Sequence, residues 1–201
     1  LGFHAYLQKN GLAWESNEAK GANLRMFRHI RGKLDEANLS LGKERGEAPD
    51  AKGHGFRFSH VMAIAPNASS SIIMGNTSPS IEPWRANAYR QDTLSGAYLN
   101  KNKYLDALIK EYCEKHPRTN YDEVWSSIIS NDGSVQHITQ LTDEQRQVFK
   151  TSMEIDQRWL IEHAADRQMY VDQAQSLNLF FRPDTHISYL HAVHFLAWKS
   201  G

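Results

Sequence analysis

The 201-residue sequence has a single cysteine, Cys113, so it contains no internal disulfide framework. Thiol–disulfide chemistry needs a pair and cannot be carried by this chain alone. A lone thiol fits a reducing compartment, and the expected location is cytoplasmic. Long apolar runs are missing as well. Nothing reaches the roughly 20 residues needed to cross a bilayer, and no signal-peptide pattern opens the sequence. Neither charge predominates, because 23 Lys and Arg balance 23 Asp and Glu. A neutral chain has no broad field for nucleic acid or an anionic membrane, so any anionic ligand must be held by a local site. There is no starting methionine. Leu1 leads straight into a helical pattern, and Gly201 is the residue type usually found just past a helix end; the expectation is a fragment cut at both ends.

What is present is mostly helical pattern, with no repeat or low-complexity tract. Leu1 to Gln8 reads as helix. Ser16 opens a long helix through Ala22, Leu24, Met26, Phe27, Ile30 and Leu34, which Gly42, Gly46 and Pro49 bring to an end. A Gly-rich loop from Asp50 to Phe58 follows. His60 to Ala65 is a short continuous apolar run, as expected of a strand buried on both faces of a parallel sheet. Pro66 stops it, and a polar loop then runs from Asn76 to Tyr98. Leu99 to His116 is an amphipathic helix ending before Pro117, and Tyr121 to Ile129 makes a shorter one. Thr142 with Gln145 forms a capping box that opens a long helix with Phe149, Met153, Trp159, Leu160 and Ala164 inward. Gln175 to Phe181 reads as a second strand. Asp184 is the expected cap of a last helix bearing Leu190, Phe195 and Trp198. This order makes the chain α/β and predominantly helical, with too few strands to close a barrel.

One segment carries chemistry. Ala65-Pro66-Asn67-Ala68-Ser69-Ser70-Ser71 is a strand-to-helix turn. A helix N-terminus leaves about four amide N–H groups unpaired and bears roughly half a positive charge. The serine hydroxyls add donors without bulk. Such a turn suits a phosphate or diphosphate without needing a lysine. Read from the residues alone, a helix cap facing water is the commoner meaning of such a turn.

These residues resemble the Pro-Thr-Ala-Ser-Thr segment of class I ribonucleotide reductase large subunits. The resemblance continues through Gly75-Asn76-Thr77-Ser78-Pro79-Ser80-Ile81-Glu82-Pro83, Asn87-Ala88-Tyr89 and Thr93-Leu94-Ser95-Gly96. It returns at Asn131-Asp132-Gly133-Ser134-Val135-Gln136, similar to the family's Asn-Gly-Ser-Ile-Gln. It is strongest at Val171-Asp172-Gln173-Ala174-Gln175-Ser176-Leu177-Asn178, similar to Asp-Gln-Ser-Gln-Ser-Leu-Asn. His194-Phe195 and Trp198-Lys199-Ser200-Gly201 match the segment before the family's paired tyrosines. The matches run in order across residues 1–201.

The resemblance implies the C-terminal portion of a ten-stranded α/β barrel, taken as one domain over residues 1–201. It implies that Asn67, Ala68, Ser69 and Ser70, together with Ser71, bind the diphosphate of a ribonucleoside diphosphate. Asn67 stands where the family more commonly has Thr. Reduction to the 2′-deoxyribonucleoside diphosphate, for DNA precursor synthesis, proceeds in the family by thiyl-radical chemistry on cysteines that this chain lacks. No catalytic residue is therefore assigned here, and the isolated segment is expected to be inactive. It is expected to bind no cofactor itself. The complete enzyme is expected to use a radical from a metal-containing small subunit and thioredoxin or glutaredoxin as reductant. Its allosteric, ATP-binding sites would lie outside this chain. The implied partners are the substrate, the rest of the large subunit, a second large subunit and the small subunit, whose C-terminal peptide docks near a helix in the Asp184–Ser200 region. The bulky Leu190, Phe195 and Trp198 are expected to pack into the barrel.

Other signals are weaker. His186, His191 and His194 crowd one helix, but zinc needs four ligands with supporting partners and no companion cluster is visible, so no metal site is expected. Cys113 lies in an amphipathic helix and is read as structural. Trp84-Arg85 and Tyr89-Arg90 could form a small aromatic–basic patch, too narrow for nucleic acid. The competing classes are a non-catalytic helical interaction module, an independent phosphate-binding protein, and a piece of a split enzyme active only with a partner chain.

Overall fold

The computed structural model describes residues 1–201, with Thr93 described by its backbone alone. In chain order the elements are α1 (Phe3–Lys9), α2 (Asn17–Arg45), α3 (Ala68–Ile73), the strands β1 (Ala88–Thr93) and β2 (Gly96–Lys101), and α4 (Lys103–Lys115). After these come α5 (Tyr121–Ser130), α6 (Asp143–Val148), α7 (Gln157–Gln168) and α8 (Ile187–Lys199). The chain divides into two compact units. One comprises Leu1–Ser16, Asn67–Gln157 and Phe180–Thr185; the other comprises Asn17–Pro66, Arg158–Leu179 and His186–Gly201.

The first unit is organised by an apolar core in which Leu105 and Ile109 of α4 meet Val124, Trp125 and Ile128 of α5, with Val135, Ile138, Leu141 and Phe149 closing it. Cys113 packs against this core from α4, half-buried. Polar bonds thread the core's edge. Buried Asn87 donates through Nδ2 to the carbonyls of Gly133 (3.0 Å) and Phe149 (2.7 Å). Its Oδ1 accepts from Asn102 Nδ2 at 3.0 Å, and Asn102 Oδ1 in turn takes the Tyr104 amide, capping α4. Gly133 closes the turn after α5 with φ 78°. A Cβ at that position would stand 2.6 Å from Ala86 Cβ and 2.8 Å from the Asn87 nitrogen, so both backbone conformation and space demand glycine.

At the other side of this unit, His4 of α1 is fully buried, its ring edge-on to Trp14 at 5.2 Å. Its Nδ1 accepts the Trp84 N–H at 2.8 Å, which requires the neutral imidazole. Burial pushes its pKa down to about 3.

Several expected elements differ here. The segment read as a loop up to Tyr98 contains an antiparallel hairpin, pairing Ala88 with Lys101 through to Thr93 with Gly96 around the two-residue loop Leu94-Ser95. Its largely exposed strands lack the apolar alternation that marks a strand. The helix expected from Leu99 therefore begins only after Asn102. The Thr142–Gln145 capping box is formed as expected. The long helix it should open stops at Val148, however. Beyond it, Ser152 N–H goes to the Trp84 carbonyl (2.7 Å), Thr151 N–H to Glu154 Oε2 (2.8 Å) and Asp156 N–H to Glu15 Oε1 (2.6 Å). These acceptors take amides that a continuous helix would use internally.

In the second unit, α2 runs unbroken from Asn17 through Gly42 to Arg45. Gly42 is no helix breaker: a Cβ there would lie 2.0 Å from the Gly55 carbonyl oxygen, so it permits a close loop crossing. Asn23 of α2 donates to the His163 carbonyl at 2.9 Å and accepts from buried Arg167 Nη1 at 3.3 Å. Arg167 Nε reaches Gln175 Oε1 at 3.0 Å. The two strands expected at 60–65 and 175–181 form no ladder. Residues 60–65 are exposed or half-buried rather than buried on both faces, and one parallel bridge joins Ile64 to Gln175. The Val61 and Met62 amides go instead to the two carboxylate oxygens of Asp172, at 3.0 and 2.9 Å, and Arg31 pairs with that carboxylate at 3.1 Å. Among the described residues the only sheet is thus the two-stranded hairpin, and no barrel is closed. The N-cap of α8 is His186, accepting the Ser188 N–H, not Asp184. Of the three bulky residues expected to pack into the barrel, Leu190 is half-buried, while Phe195 and Trp198 are 51% and 76% exposed. No described helix is long and apolar enough to cross a membrane.

Two outcomes follow from these contacts. Gly133→Ala is expected to lower stability by about 2–4 kcal/mol, from the left-handed backbone plus the Ala86 clash; a loss under about 1 kcal/mol by urea unfolding would contradict the packing described. For His4, the unfolded pKa is near 6.5 and the folded one near 3, so the unfolded chain binds a proton that the folded chain refuses between those values. Its contribution is therefore intact above about pH 6.5 and is lost as pH falls, by about 2 kcal/mol between pH 7 and 5. His4→Asn keeps an acceptor for Trp84 and should abolish that part of the pH dependence; an unchanged profile would rule out His4 as its source.

Candidate functional site

Pro66 has no N–H, and Asn67 takes the N-cap position of α3 with φ −118° and ψ 51°, without a side-chain capping bond. Ala68, Ser69 and Ser70 then form the exposed first turn. Among the described residues no acceptor is bonded to the amides of these three. The Ser69 and Ser70 side chains face solvent beside them. Ser71 is different: it is 5% exposed, its N–H bonds the Asn67 carbonyl at 3.0 Å, and its Oγ donates to the Ala68 carbonyl at 2.6 Å. Its hydroxyl proton is thus committed within the helix. The five residues singled out from the sequence lie together, but they divide into an N-cap, Asn67, an outward donor set, Ala68 to Ser70, and an inward anchor, Ser71.

A cleft of about 930 Å³ opens at this helix, lined by Ala68, Ser71 and Ile72 and by Arg85, Arg90 and Arg182. Glu82, Asp132 and Glu154 also line it, so its charge is mixed. Arg90 is exposed and paired with Asp92 at 2.8 Å. The rings of Trp84 and Tyr89 stand 6.4 Å apart and tilted, making the aromatic part of the patch read from the sequence. Arg182 was not legible there: it lies just past the run that reads as a strand, and nothing in its spacing links it to residues a hundred positions earlier. Glu154 was hidden for a related reason, being assigned to a helix that does not form. Its carboxylate accepts from Ser134 Oγ and from Thr151.

Tyr89 connects the cleft to α3. Its hydroxyl donates to Asn76 Oδ1 at 2.6 Å, and burial, partly offset by that bond, raises its pKa above the usual value. The histidines of α8 share no ligand geometry. His186 caps the helix, His191 stacks on Phe195 with ring centres 6.1 Å apart, and His194 Nδ1 lies 2.8 Å from the Leu190 carbonyl. The described residues contain no group of three or more His, Cys, Asp or Glu placed to hold a metal ion.

A family model for the ribonucleotide reductase barrel domain matches residues 48–201. The ribonucleoside-diphosphate reductase large subunit of Invertebrate iridescent virus 6 is 54% identical over 203 residues, covering 100% of this chain and 21% of the viral protein. That of Invertebrate iridescent virus 3 is 53% identical over 201 residues, covering 100% and 32%. Among solved structures, the Actinobacillus ureae class Id ribonucleotide reductase alpha subunit matches with TM-score 0.89 at 42% identity, over 100% of this chain and 36% of that one. The chain therefore spans about a fifth to a third of the length of these relatives. The resemblance read from the serine turn and the Asp172–Asn178 stretch is borne out, and the chain belongs to the ribonucleotide reductase barrel-domain family.

Proposed function

We propose that this chain works as part of the large subunit of a ribonucleoside-diphosphate reductase, and that its serine turn holds the substrate diphosphate. The observation that carries this reading is the exposed first turn of α3, where three amides have no acceptor among the described residues and two hydroxyls stand beside them. Phosphate oxygens are strong acceptors, and bonds to a charged group contribute about 1.5–3 kcal/mol each. Arg85 and Arg182, in the adjoining cleft, can balance charge that a neutral chain does not otherwise offset.

The role of such a turn is to orient. Holding the diphosphate places the ribose against the groups that attack it through bonds made alike in the ground state and the transition state, so their loss raises KM and leaves kcat nearly alone. Those groups are not assigned to this chain: Cys113 is half-buried on α4 against the apolar core. Thiyl-radical chemistry, delivered by a small subunit with a metal-based radical and renewed by thioredoxin or glutaredoxin, would be supplied by the rest of the assembly, a dimer of large subunits in the cytoplasm. The exposed Ile187, Phe195 and Trp198 on α8 favour, as a second role, a contact with the small subunit's C-terminal peptide.

In the assembled reductase, Ser69→Ala with Ser70→Ala should raise KM for the ribonucleoside diphosphate about tenfold or more while kcat stays within about twofold, because two charge-assisted bonds are lost. An unchanged KM would remove the turn from substrate binding.

A further inference from the structure

Six residues make a marginal helix, since so short a segment gains few internal bonds for the backbone it fixes. The donor turn must therefore be held from its far end. There the chain passes through Gly75 and Asn76, with φ of 78° and 52°, two consecutive left-handed residues of which the second is not glycine. That conformation costs a residue with a Cβ about 1–2 kcal/mol unless its surroundings fix it. It is nevertheless required, because it turns the Asn76 amide back onto the Ile72 carbonyl (3.1 Å) and the Thr77 amide onto the Ser71 carbonyl (3.0 Å). Ser71 is the inward anchor whose hydroxyl locks Ala68.

The Tyr89 hydroxyl, 2.6 Å from Asn76 Oδ1, is the side-chain donor that meets this turn. Tyr89 itself is fixed in β1, opposite Asn100 of β2 and two residues after buried Asn87. Beyond the turn, buried Ser78 accepts the Gly2 amide on its carbonyl (2.9 Å) and the Ala5 amide on its Oγ (3.1 Å). The helix end is thus bracketed by the hairpin on one side and α1 on the other.

We propose that Tyr89 is a positioning residue for the diphosphate turn, acting through Asn76 and Ser71 to hold the amides of Ala68, Ser69 and Ser70 in line for one anion. This rests on the serine-turn reading above. Tyr89 does not touch the diphosphate; its hydroxyl is occupied by Asn76. A positioning role separates from a merely structural one in the kinetics. Loss of global stability lowers the amount of active enzyme and so the apparent kcat, whereas a loosened turn weakens ground-state hold and raises KM.

The test is steady-state reduction of a ribonucleoside diphosphate by the assembled large and small subunits. Tyr89→Phe is expected to raise KM about three- to tenfold, the range for one lost hydrogen bond, with kcat nearly unchanged. Asn76→Gly keeps the left-handed backbone without the acceptor, and in that background Tyr89→Phe should add nothing. If Tyr89→Phe leaves KM unchanged while the Ser69/Ser70 double variant raises it, the turn binds substrate and the positioning role is wrong. If neither raises KM, the serine-turn reading falls and the positioning role with it.

Discussion

The side chain of Asn87 joins the backbone of segments far apart in sequence, and the first unit is arranged around it. Its amide satisfies the carbonyl after α5 and the carbonyl at the end of α6, and its oxygen takes the residue that caps α4. Buried carbonyls left without a donor cost about 1–3 kcal/mol each, so these bonds specify which segments meet more than they add net stability. Gly133 is the complementary constraint, since no other residue lets that turn come so near Asn87. With Asn87 fixed, β1 begins beside it, Tyr89 is aimed at Asn76, and the short helix with the donor turn is fixed in its turn. A buried amide in the core is in this way connected by covalent and hydrogen-bonded steps to the exposed first turn of α3.

The start of α3 was legible because its signal is local. A proline, an asparagine and three serines after an apolar run announce a helix start, and α3 begins at Ala68 as that pattern requires. The inward turn of Ser71 was not legible, because nothing in a run of three serines says which one faces the protein. The fold was read well where a cap or a stripe decides it, as at Asn17–Arg45, Tyr121–Ser130 and the Thr142 capping box. It was misread where long-range acceptors compete with local periodicity. Glu15 and Glu154 stop a helix whose apolar spacing continues, and Asp172 takes amides that would otherwise enter a ladder. The hairpin escaped because its largely exposed strands are held by backbone pairing, which side-chain patterning does not report.

Charge balance shapes the functional reading. A chain with no net charge at neutral pH gains little from long-range steering of an anionic substrate, and its hold on one must come from directed donors at short range. The first turn of α3 supplies such donors, and the mixed-charge cleft beside it supplies guanidinium groups without a strong positive field. This combination suits a small diphosphate better than a polyanion, whose binding depends on a broad basic surface.

The central claim is that a diphosphate sits on the amides of Ala68, Ser69 and Ser70. The most direct measurement is a crystal structure of the assembled large subunit with a bound ribonucleoside diphosphate. The account predicts phosphate oxygens within about 3 Å of those amides and of the Ser69 and Ser70 hydroxyls, with Ser71 still turned toward Ala68. A diphosphate bound instead along Arg85 and Arg182, with the first turn of α3 left to solvent, would contradict it.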